Sequence, residues 1–245
     1  MFKFKGVWSN EFSPALIVNK VQRAITPPIT RLVSEIPGMD GAYPMGTKLG
    51  MRPIRCEITI VRSLIDNDEA FIRLLAGWLF SEQPEEFIDA KDPNVFCKAY
   101  LDNRTDLEEI VSLGKGILDF ICPDPLIYQE EREEVFANGE CFTLVEGTYR
   151  TFPSLRIEFS SPADGFKITH TQLDQYIRLN RSFVAGDVVE INCASGKVTL
   201  NGVVAMTIYV WEESDFFYLV PGAQTLLCEI SEVAHVNIRW RPRWF

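Results

Sequence analysis

The chain has 245 residues, of which 47% are hydrophobic and 12% aromatic, and its formal net charge is −10. Residues 1–130 contain 14 basic and 19 acidic side chains and residues 131–245 contain 10 and 15, so each part carries a charge of −5. This composition excludes a disordered chain and a basic nucleic-acid-binding module, and it supplies enough apolar material for two packed cores.

The cysteines and the apolar runs limit the chemistry and the compartment. No two of the six cysteines are closer than 19 positions, so there is no Cys-x-x-Cys pair for zinc or redox work. The polar start Met1–Lys5 lacks the pattern of a signal peptide, and no apolar run approaches the roughly 20 residues that cross a bilayer. We expect reduced, buried thiols. The cysteines are Cys56, Cys97, Cys122, Cys141, Cys193 and Cys228.

The first half of the chain is predicted to consist mainly of β-strands. Between positions 52 and 62, apolar residues occupy every second position from Ile54 to Ile60, which is typical of a half-buried strand. Three glycines and a proline between Gly41 and Gly50 predict a loop or hairpin tip there. Further strands are predicted at 2–8, 17–23, 29–36, 96–101 and 117–122.

One amphipathic helix is predicted after the strand at 52–62. Asp66-Asn67-Asp68 offers side-chain oxygens to the free amides of a helix start, and Ser81-Glu82-Gln83-Pro84 ends the pattern. Thr105-Asp106-Leu107-Glu108 fits the capping box of a second, shorter helix. The apolar stripe of the main helix, which we expect in the core, is Phe71, Leu74, Leu75, Trp78 and Leu79.

The second half is predicted to be an antiparallel β-sandwich. The charged segment Gln129–Glu140 is taken as the boundary, which gives domains 1–130 and 131–245. Short apolar runs then recur with turn signals between them, and Asn201-Gly202 predicts a two-residue hairpin turn. The predicted strands are 141–146, 155–159, 166–171, 176–180, 188–192, 198–200, 203–210, 216–220, 225–230 and 236–240.

The residues give no support for catalysis, a cofactor or a metal. The two histidines, His170 and His235, lie in or beside predicted strands and have no nucleophile near them in sequence. Paired glutamates such as Glu212-Glu213 are read as solvated charge rather than as the two carboxyls of a glycosidase. The run from Gly41 to Lys48 resembles a phosphate-binding loop, but its last two residues stand in the wrong order.

Two aromatic groups are candidates for ligand or partner contacts. Trp211 and Phe217 could offer a stacking face to a sugar, although sandwich core is the alternative. The C-terminal run, which contains Trp240 and Trp244 among arginines, could stack on single-stranded nucleic acid. We favour packing or a subunit contact for that C-terminal run, because the rest of the chain is acidic.

The order of several motifs resembles that of the distal tail proteins of long-tailed, non-contractile bacteriophages. Each motif is short, and the resemblance rests on their order and spacing through nearly the whole chain. The motifs are Ile36-Pro37-Gly38-x-Asp40-Gly41, Ala76-Gly77-Trp78-Leu79, Asp119-Phe120-x-Cys122-x-Asp124-Pro125, Gly186-Asp187-x-Val189-x-Ile191-Asn192, Val198-Thr199-x-Asn201-Gly202 and Leu219-x-Pro221-Gly222.

The resemblance implies a mainly β, α+β fold with one main helix. The N-terminal domain is then a tail-tube-like β-sandwich or split barrel, and the C-terminal domain is a galectin-like β-sandwich. Six copies are expected to form a ring at the virion tail tip, or baseplate, after synthesis in the host cytoplasm. The expected partners are the tail tube protein, the tail-associated hub or lysin protein, the tape measure and receptor-binding proteins.

The implied function is structural and non-enzymatic. DNA is expected to pass through the ring without specific binding, which predicts a lumen that is not positively charged, because a basic lumen would hold the phosphate backbone. Ile36, Pro37, Gly38, Asp40 and Gly41 are expected to act as an assembly or turn motif. The alternative is a carbohydrate-binding module for host recognition, located in the C-terminal sandwich.

Overall fold

The computed structural model describes residues 1–102, 110, 112, 114–137, 139–229 and 235–245. Strands dominate, and the only long helix of the described residues is Asp68–Leu79. The chain divides into two units, residues 1–128 with Phe245 and residues 129–244. Each unit has its own cluster of buried apolar side chains. The prediction of a mainly β fold with one main helix is confirmed.

The first unit is built on one antiparallel sheet. Its strands follow the order β2-β1-β7-β8-β9-β6-β3, with β10 beside β8, while β4 and β5 pair only with each other among the described residues. The elements are β1 Phe2–Phe4, β2 Val7–Trp8, α1 Ser9–Phe12, β3 Leu16–Arg23, β4 Ile29–Ser34, β5 Tyr43–Leu49, β6 Arg52–Ile60, a 3-10 turn Arg62–Leu64, α2 Asp68–Leu79, β7 Glu85–Asp89, β8 Val95–Leu101, β9 Lys115–Cys122 and β10 Ile127–Gln129.

Strand β6 shows how the sequence pattern produces this sheet. Every second residue from Ile54 to Ile60 is buried, as the alternation predicts, while Arg55 on the opposite face pairs with Asp119 at 2.8 Å. Arg52 is also buried, which the pattern does not predict. Its Nε donates to the carbonyl of Pro125 at 2.8 Å and its Nη1 to that of Ala24 at 3.1 Å. Burial lowers the pKa of Arg52.

Helix α2 begins where the sequence predicts. The Asn67 side chain accepts the backbone N–H of Ala70 at 3.0 Å and caps the first turn. Four members of the predicted stripe are buried, but Leu74 is 66% exposed, so the expectation that Leu74 lies in the core is wrong. At 100° per residue, Leu74 stands about 90° around the helix from the centre of the buried arc, outside the contact with the sheet.

An aromatic cluster fastens the first strand to the helix. Phe2 stacks between Trp78, at 5.7 Å between ring centroids, and Phe87, at 5.2 Å. Phe120 meets Phe2 edge-on at 5.5 Å, and Trp78 Nε1 donates to the carbonyl of Phe4 at 3.2 Å. These contacts join residues that lie more than 70 positions apart, so the core of this unit depends on long-range pairing.

The second unit is a sandwich of two antiparallel sheets. One has the order β11-β20-β13-β16-β17-β18, the other the order β12-β19-β14-β15, and the inward residues of both share one core. The elements are β11 Arg132–Phe136, β12 Gly139–Val145, β13 Ser154–Glu158, β14 Ala163–His170, β15 Gln175–Phe183, β16 Val188–Asn192, β17 Lys197–Leu200, β18 Val203–Val204, a 3-10 turn Met206–Ile208, β19 Gly222–Glu229, β20 His235–Trp240 and β21 Arg243–Trp244.

The predicted turn at Asn201-Gly202 is confirmed. Both residues have positive φ, +50° and +80°, as a two-residue hairpin turn between β17 and β18 requires. The Asn201 side chain accepts the backbone N–H of Val188 and donates to Asp187, both at 2.9 Å. The turn is therefore tied to the neighbouring strand by side-chain hydrogen bonds as well as by its backbone.

Several predicted elements differ from the structure. The segment 41–50 is largely strand β5 instead of a loop, and the charged segment 129–140 contains β11. The run 203–210 is strand only at Val203–Val204, and 216–220 is not a strand, although Leu219 forms an isolated bridge to Thr151. In these places tertiary context overrides local pattern. The short helix expected at 105–108 lies outside the described residues.

The adjacent leucines of α2 provide a test of this packing. Leu75 is fully buried, so Leu75→Ala should lower the free energy of unfolding by about 2–5 kcal/mol. Leu74→Ala makes the same chemical change on the exposed side and should stay within about 0.5 kcal/mol. Urea denaturation measures both, and equal losses for the two variants would contradict the placement of the helix.

Candidate assembly surface

The β4–β5 hairpin stands apart from the sheet of the first unit. The two strands pair antiparallel from Ile29 opposite Leu49 to Ser34 opposite Tyr43, with a register shift after Leu32. Pro44 lies in β5, where a residue without an N–H is tolerated because both strands of an isolated hairpin are edges. Among the described residues, no third strand pairs with either of them.

The tip of the hairpin carries the predicted motif. The N–H of Met39 donates to the carbonyl of Ile36 at 3.1 Å, and Gly38 between them has φ of +84°. Pro37 followed by a glycine with positive φ matches a type II turn, in which proline fixes the second residue and glycine permits the third. Asp40 and Gly41 complete the exposed tip. The motif therefore forms a turn, and its role in assembly stays a prediction.

The hairpin exposes an unusual amount of apolar surface. Every residue from 29 to 48 is exposed, and seven of these are large apolar side chains. A two-stranded hairpin alone is marginally stable in water, and contiguous exposed apolar surface marks interaction sites. The apolar side chains of this surface, here called the hairpin surface, are Ile29, Leu32, Val33, Ile36, Met39, Tyr43 and Met45.

The charges of the hairpin cancel. Arg31 and Lys48 supply two positive charges, and Glu35 and Asp40 supply two negative ones. Arg31 Nη1 donates to the Thr47 hydroxyl at 3.1 Å across the two strands. A surface of this kind neither attracts nor repels a polyanion strongly.

The residues that could suggest catalysis occupy structural positions. His170 is fully buried, accepts the N–H of Leu173 at 3.2 Å through Nδ1, and has its ring 5.5 Å from that of Phe217. His235 is exposed and faces Glu158 across the β13–β20 pair. Glu133 and Glu134 are successive strand residues, so their carboxylates point to opposite sides of the sheet.

The thiols are all buried, as expected, and none forms a disulfide. Burial raises the pKa of Cys193 and of Cys228 to about 12, and that of Cys141 to about 11, which keeps them protonated. No cluster of three metal-ligating side chains occurs within the described part of the chain. No helix there is long and apolar enough to cross a membrane.

The four aromatic candidates differ in exposure. Phe217 and Trp240 are 0% and 3% exposed and belong to the sandwich core, so their assignment as contacts for a glycan or partner is corrected. Trp211 is 65% exposed and meets Tyr209 edge-on at 4.9 Å. Trp244 is half-buried in β21. Only Trp211 offers a largely free ring.

The phosphate-loop resemblance also has a structural explanation. Gly41 belongs to the hairpin tip, and Gly46, Thr47 and Lys48 belong to β5, which is followed by strand β6 rather than by a helix. A phosphate-binding loop requires the following helix N-terminus, so this run does not form one.

Comparison with known proteins places these features in a family. A family model described as "Phage tail protein RIFT-related domain" matches residues 16–122, and one described as "Siphovirus-type tail component, C-terminal domain" matches residues 146–244. The distal tail protein of Bacillus phage SPP1 is 28% identical over 126 residues. The chain belongs to the siphophage distal tail protein family. The alignment with the SPP1 protein covers 50% of this chain and 49% of that protein, so the chain spans about half the length of this relative.

Solved structures bear on the fold of this chain. The crystal structure of the SPP1 distal tail protein, titled a paradigm of the hub adsorption apparatus in Gram-positive-infecting phages, has a TM-score of 0.79 at 15% identity. The match covers 100% of this chain and 98% of that one. A chain of the phage P2 baseplate is 10% identical with a TM-score of 0.46, over 93% and 90% of the two chains, which is too low for an argument.

Sequence reasoning identified the hairpin tip but not the surface that continues from it. The strands β4 and β5 lack apolar–polar alternation because neither face is buried within the chain. The sequence signal for this surface is the high apolar content of a segment that is rich in turn residues. Two glycines and a proline lie between its apolar residues Leu32, Val33, Tyr43 and Met45.

The buried histidine gives the second unit a predictable pH dependence. Burial lowers the pKa of His170 from its usual 6.5, so the unfolded chain binds a proton there that the folded chain refuses. Its contribution to stability is complete above about pH 6.5 and is lost as pH falls through the lower folded pKa. His170→Gln should therefore lose less stability than the parent between pH 7.5 and pH 5.

Urea midpoints of both proteins at the two pH values measure this effect. Protonation of carboxylates is common to both proteins and cancels in the difference. Parallel pH profiles for parent and variant would show that His170 titrates equally in the folded and unfolded states.

Proposed function

We propose that this chain is a structural distal tail protein that forms a ring, expected to be hexameric, which connects the tail tube to the hub of a siphophage or prophage tail tip. Family membership supports the role of a tail component, and the hairpin surface supports assembly with further copies. The proposal assigns ring formation to residues 1–130. The work of such a subunit lies in its contacts and requires no bond-breaking chemistry.

The hairpin surface is the observation that carries this proposal. Among the described residues, none of the same chain covers its seven exposed apolar side chains. Repeating one contact between different surfaces of identical chains closes a ring when the rotation between them allows it. The hairpin of each copy then packs on the next, and its free strand edges find partners there.

The charge of the same hairpin supports the proposal that DNA passes through the ring. If the hairpins contribute to the lumen, their four charges sum to zero in each copy. Duplex DNA carries about one negative charge per 1.7 Å of its axis, so a neutral wall lets it slide where a basic wall would retain it. The expected partners are the tail tube, the tape measure, the tail-associated hub or lysin protein and receptor-binding proteins.

A carbohydrate-binding role of the C-terminal sandwich is the second candidate. Stacking on the four aromatic residues named from the sequence receives little support, because Phe217 and Trp240 are in the core. The observation that favours this candidate is a polar groove of about 310 Å³ on the six-stranded sheet, with Arg156, Glu190 and Asn237 among its lining residues. The groove does not bear on ring formation.

Ring formation through the hairpin predicts a selective loss of assembly. The parent should form six-fold annuli in electron microscopy. Leu32→Ser with Val33→Ser removes two apolar side chains from the hairpin surface, and light scattering of this variant should show monomers instead. Val203→Ser with Val204→Ser makes a comparable change in an exposed hairpin of the second unit and should leave the annuli intact. Annuli that survive the first change and disappear with the second would refute the role of the hairpin.

The neutral lumen makes a separate prediction about DNA. Glu35→Lys with Asp40→Lys changes the hairpin charge from zero to +4, and annuli of this variant should retain duplex DNA in a gel-shift assay at about 0.05 M salt. The parent should not retain it. Glu130→Lys with Glu131→Lys, which adds the same charge at exposed positions of the second unit, serves as the control. Equal retention by both variants would remove the hairpin from the DNA path.

A further inference from the structure

The four-stranded sheet of the second unit has an open edge at strand β12. This strand pairs with β19 on one side, and no described strand pairs with its other side. Every second residue of such an edge strand directs its N–H and C=O groups away from the sheet, where a further strand can bind them. At about 3.4 Å per residue, the seven residues of β12 offer an edge of about 24 Å.

The opposite edge of the same sheet is covered. Strand β15 forms that edge, and the segment after the 3-10 turn Met206–Ile208 runs beside it. The N–H of Val210 donates to the carbonyl of Arg178 at 3.1 Å, and the N–H of Asp215 donates to that of Tyr176 at 2.9 Å. Of the two edges of this sheet, only that of β12 lacks such a cover among the described residues.

The outward side chains of β12 are apolar as well as exposed. Phe142 is 72% exposed and Leu144 is 67% exposed, while the residues that alternate with them are buried. Phe142 lies opposite Thr225 and Leu144 lies opposite Ala223, and these smaller side chains leave them uncovered. Natural proteins protect exposed edge strands with charges or prolines, so two bulky apolar side chains on an open edge indicate a binding surface.

The surroundings of β12 are acidic. Residues 130–146 contain six glutamates and a single basic residue, Arg132. Arg132 pairs with Glu146 at 2.9 Å, and Arg239 lies 3.7 Å from Glu133. Among the described residues, the four glutamates that remain without an ion pair are Glu130, Glu131, Glu134 and Glu140. A partner with basic side chains gains from this charge, whereas a second copy of the chain would bring the same negative charge to the edge.

The two sides of β12 differ in chemistry. Cys141 Sγ donates to the Glu134 carboxylate at 3.7 Å, so Glu134 of β11 lies beside the inward side of β12. Phe142 and Leu144 lie on the outward side. The side chains of an added strand alternate between the same two sides. An apolar residue at every second position would then contact Phe142 and Leu144, and a basic residue at the positions between would lie near Glu134.

We propose that the open edge of β12 binds an extended segment of a partner protein as a fifth strand, with apolar and basic side chains in alternation. Backbone hydrogen bonds hold the segment, and Phe142, Leu144 and Glu134 select its side chains. This inference goes beyond ring formation and does not rest on it, because all of these residues belong to the second unit.

The test titrates the full chain with the fluorescently labelled peptide Lys-Val-Lys-Val-Lys-Val-Lys at about 0.05 M salt, read by anisotropy. The peptide should bind with a Kd below about 0.1 mM. Hydrogen exchange in the complex should slow at residues 139–145 and stay unchanged at residues 197–204. An analogue with glutamate in place of lysine should not bind. An analogue with N-methyl groups on two adjacent central residues keeps every side chain but loses donors on both edges, and it should bind roughly ten-fold more weakly or less.

Variants of the chain locate the site. Phe142→Thr with Leu144→Thr removes apolar surface and keeps residues that favour strands, and it should weaken binding by roughly ten-fold. Val203→Thr with Val204→Thr is the matched control, because these exposed apolar residues lie in the edge strand β18 of the other sheet. It should leave the affinity unchanged. Glu134→Gln should weaken binding by roughly three-fold and reduce its dependence on salt.

Three results would overturn the proposal. The first is no binding of the basic peptide up to about 1 mM. The second is equal binding of the N-methylated analogue, which would mean that charge alone holds the peptide. The third is self-association of the parent chain that Phe142→Thr with Leu144→Thr abolishes, which would assign the edge of β12 to a second copy.

Discussion

Residues 29–48 of the β4–β5 hairpin are all exposed, and no described residue of the chain covers them. The proposed role of the first unit depends on this exposed surface. Two strands joined by a Pro37-Gly38 turn bury almost nothing between them. The conformational entropy lost by ordering about twenty residues is not repaid by such a hairpin in isolation. In the proposed ring, contact with a further copy supplies the missing burial.

Each unit has a core of buried apolar side chains. The aromatic cluster around Phe2 and Trp78 joins the first strand to α2, and the sandwich core of the second unit takes its residues from both sheets. Burial raises the pKa of Cys193 and of Cys228 and lowers that of His170, so it disfavours the charged form of each of these three groups.

Some elements of the fold could be predicted from the sequence, and others could not, for physical reasons. Strand β6 and helix α2 have one buried face, so periodicity revealed them, although Leu74 stands just beyond the contact. Strand β5 was missed because both its faces are exposed, and β11 because its charges pair with side chains of β20. The polar side chains that line up across β13, β16, β17 and β20 come from positions between 154 and 239, and only the sheet register brings them together.

Hydrogen exchange of residues 29–49 tests the central claim most directly, by comparing assembled annuli with dissociated monomers of the same protein. Partner contacts in the annulus should slow exchange of the hairpin amides by roughly a hundred-fold or more, while the core amides of β6 change little. Equal exchange of the hairpin in both forms would mean that no neighbouring copy covers it, and assembly would have to depend on another surface.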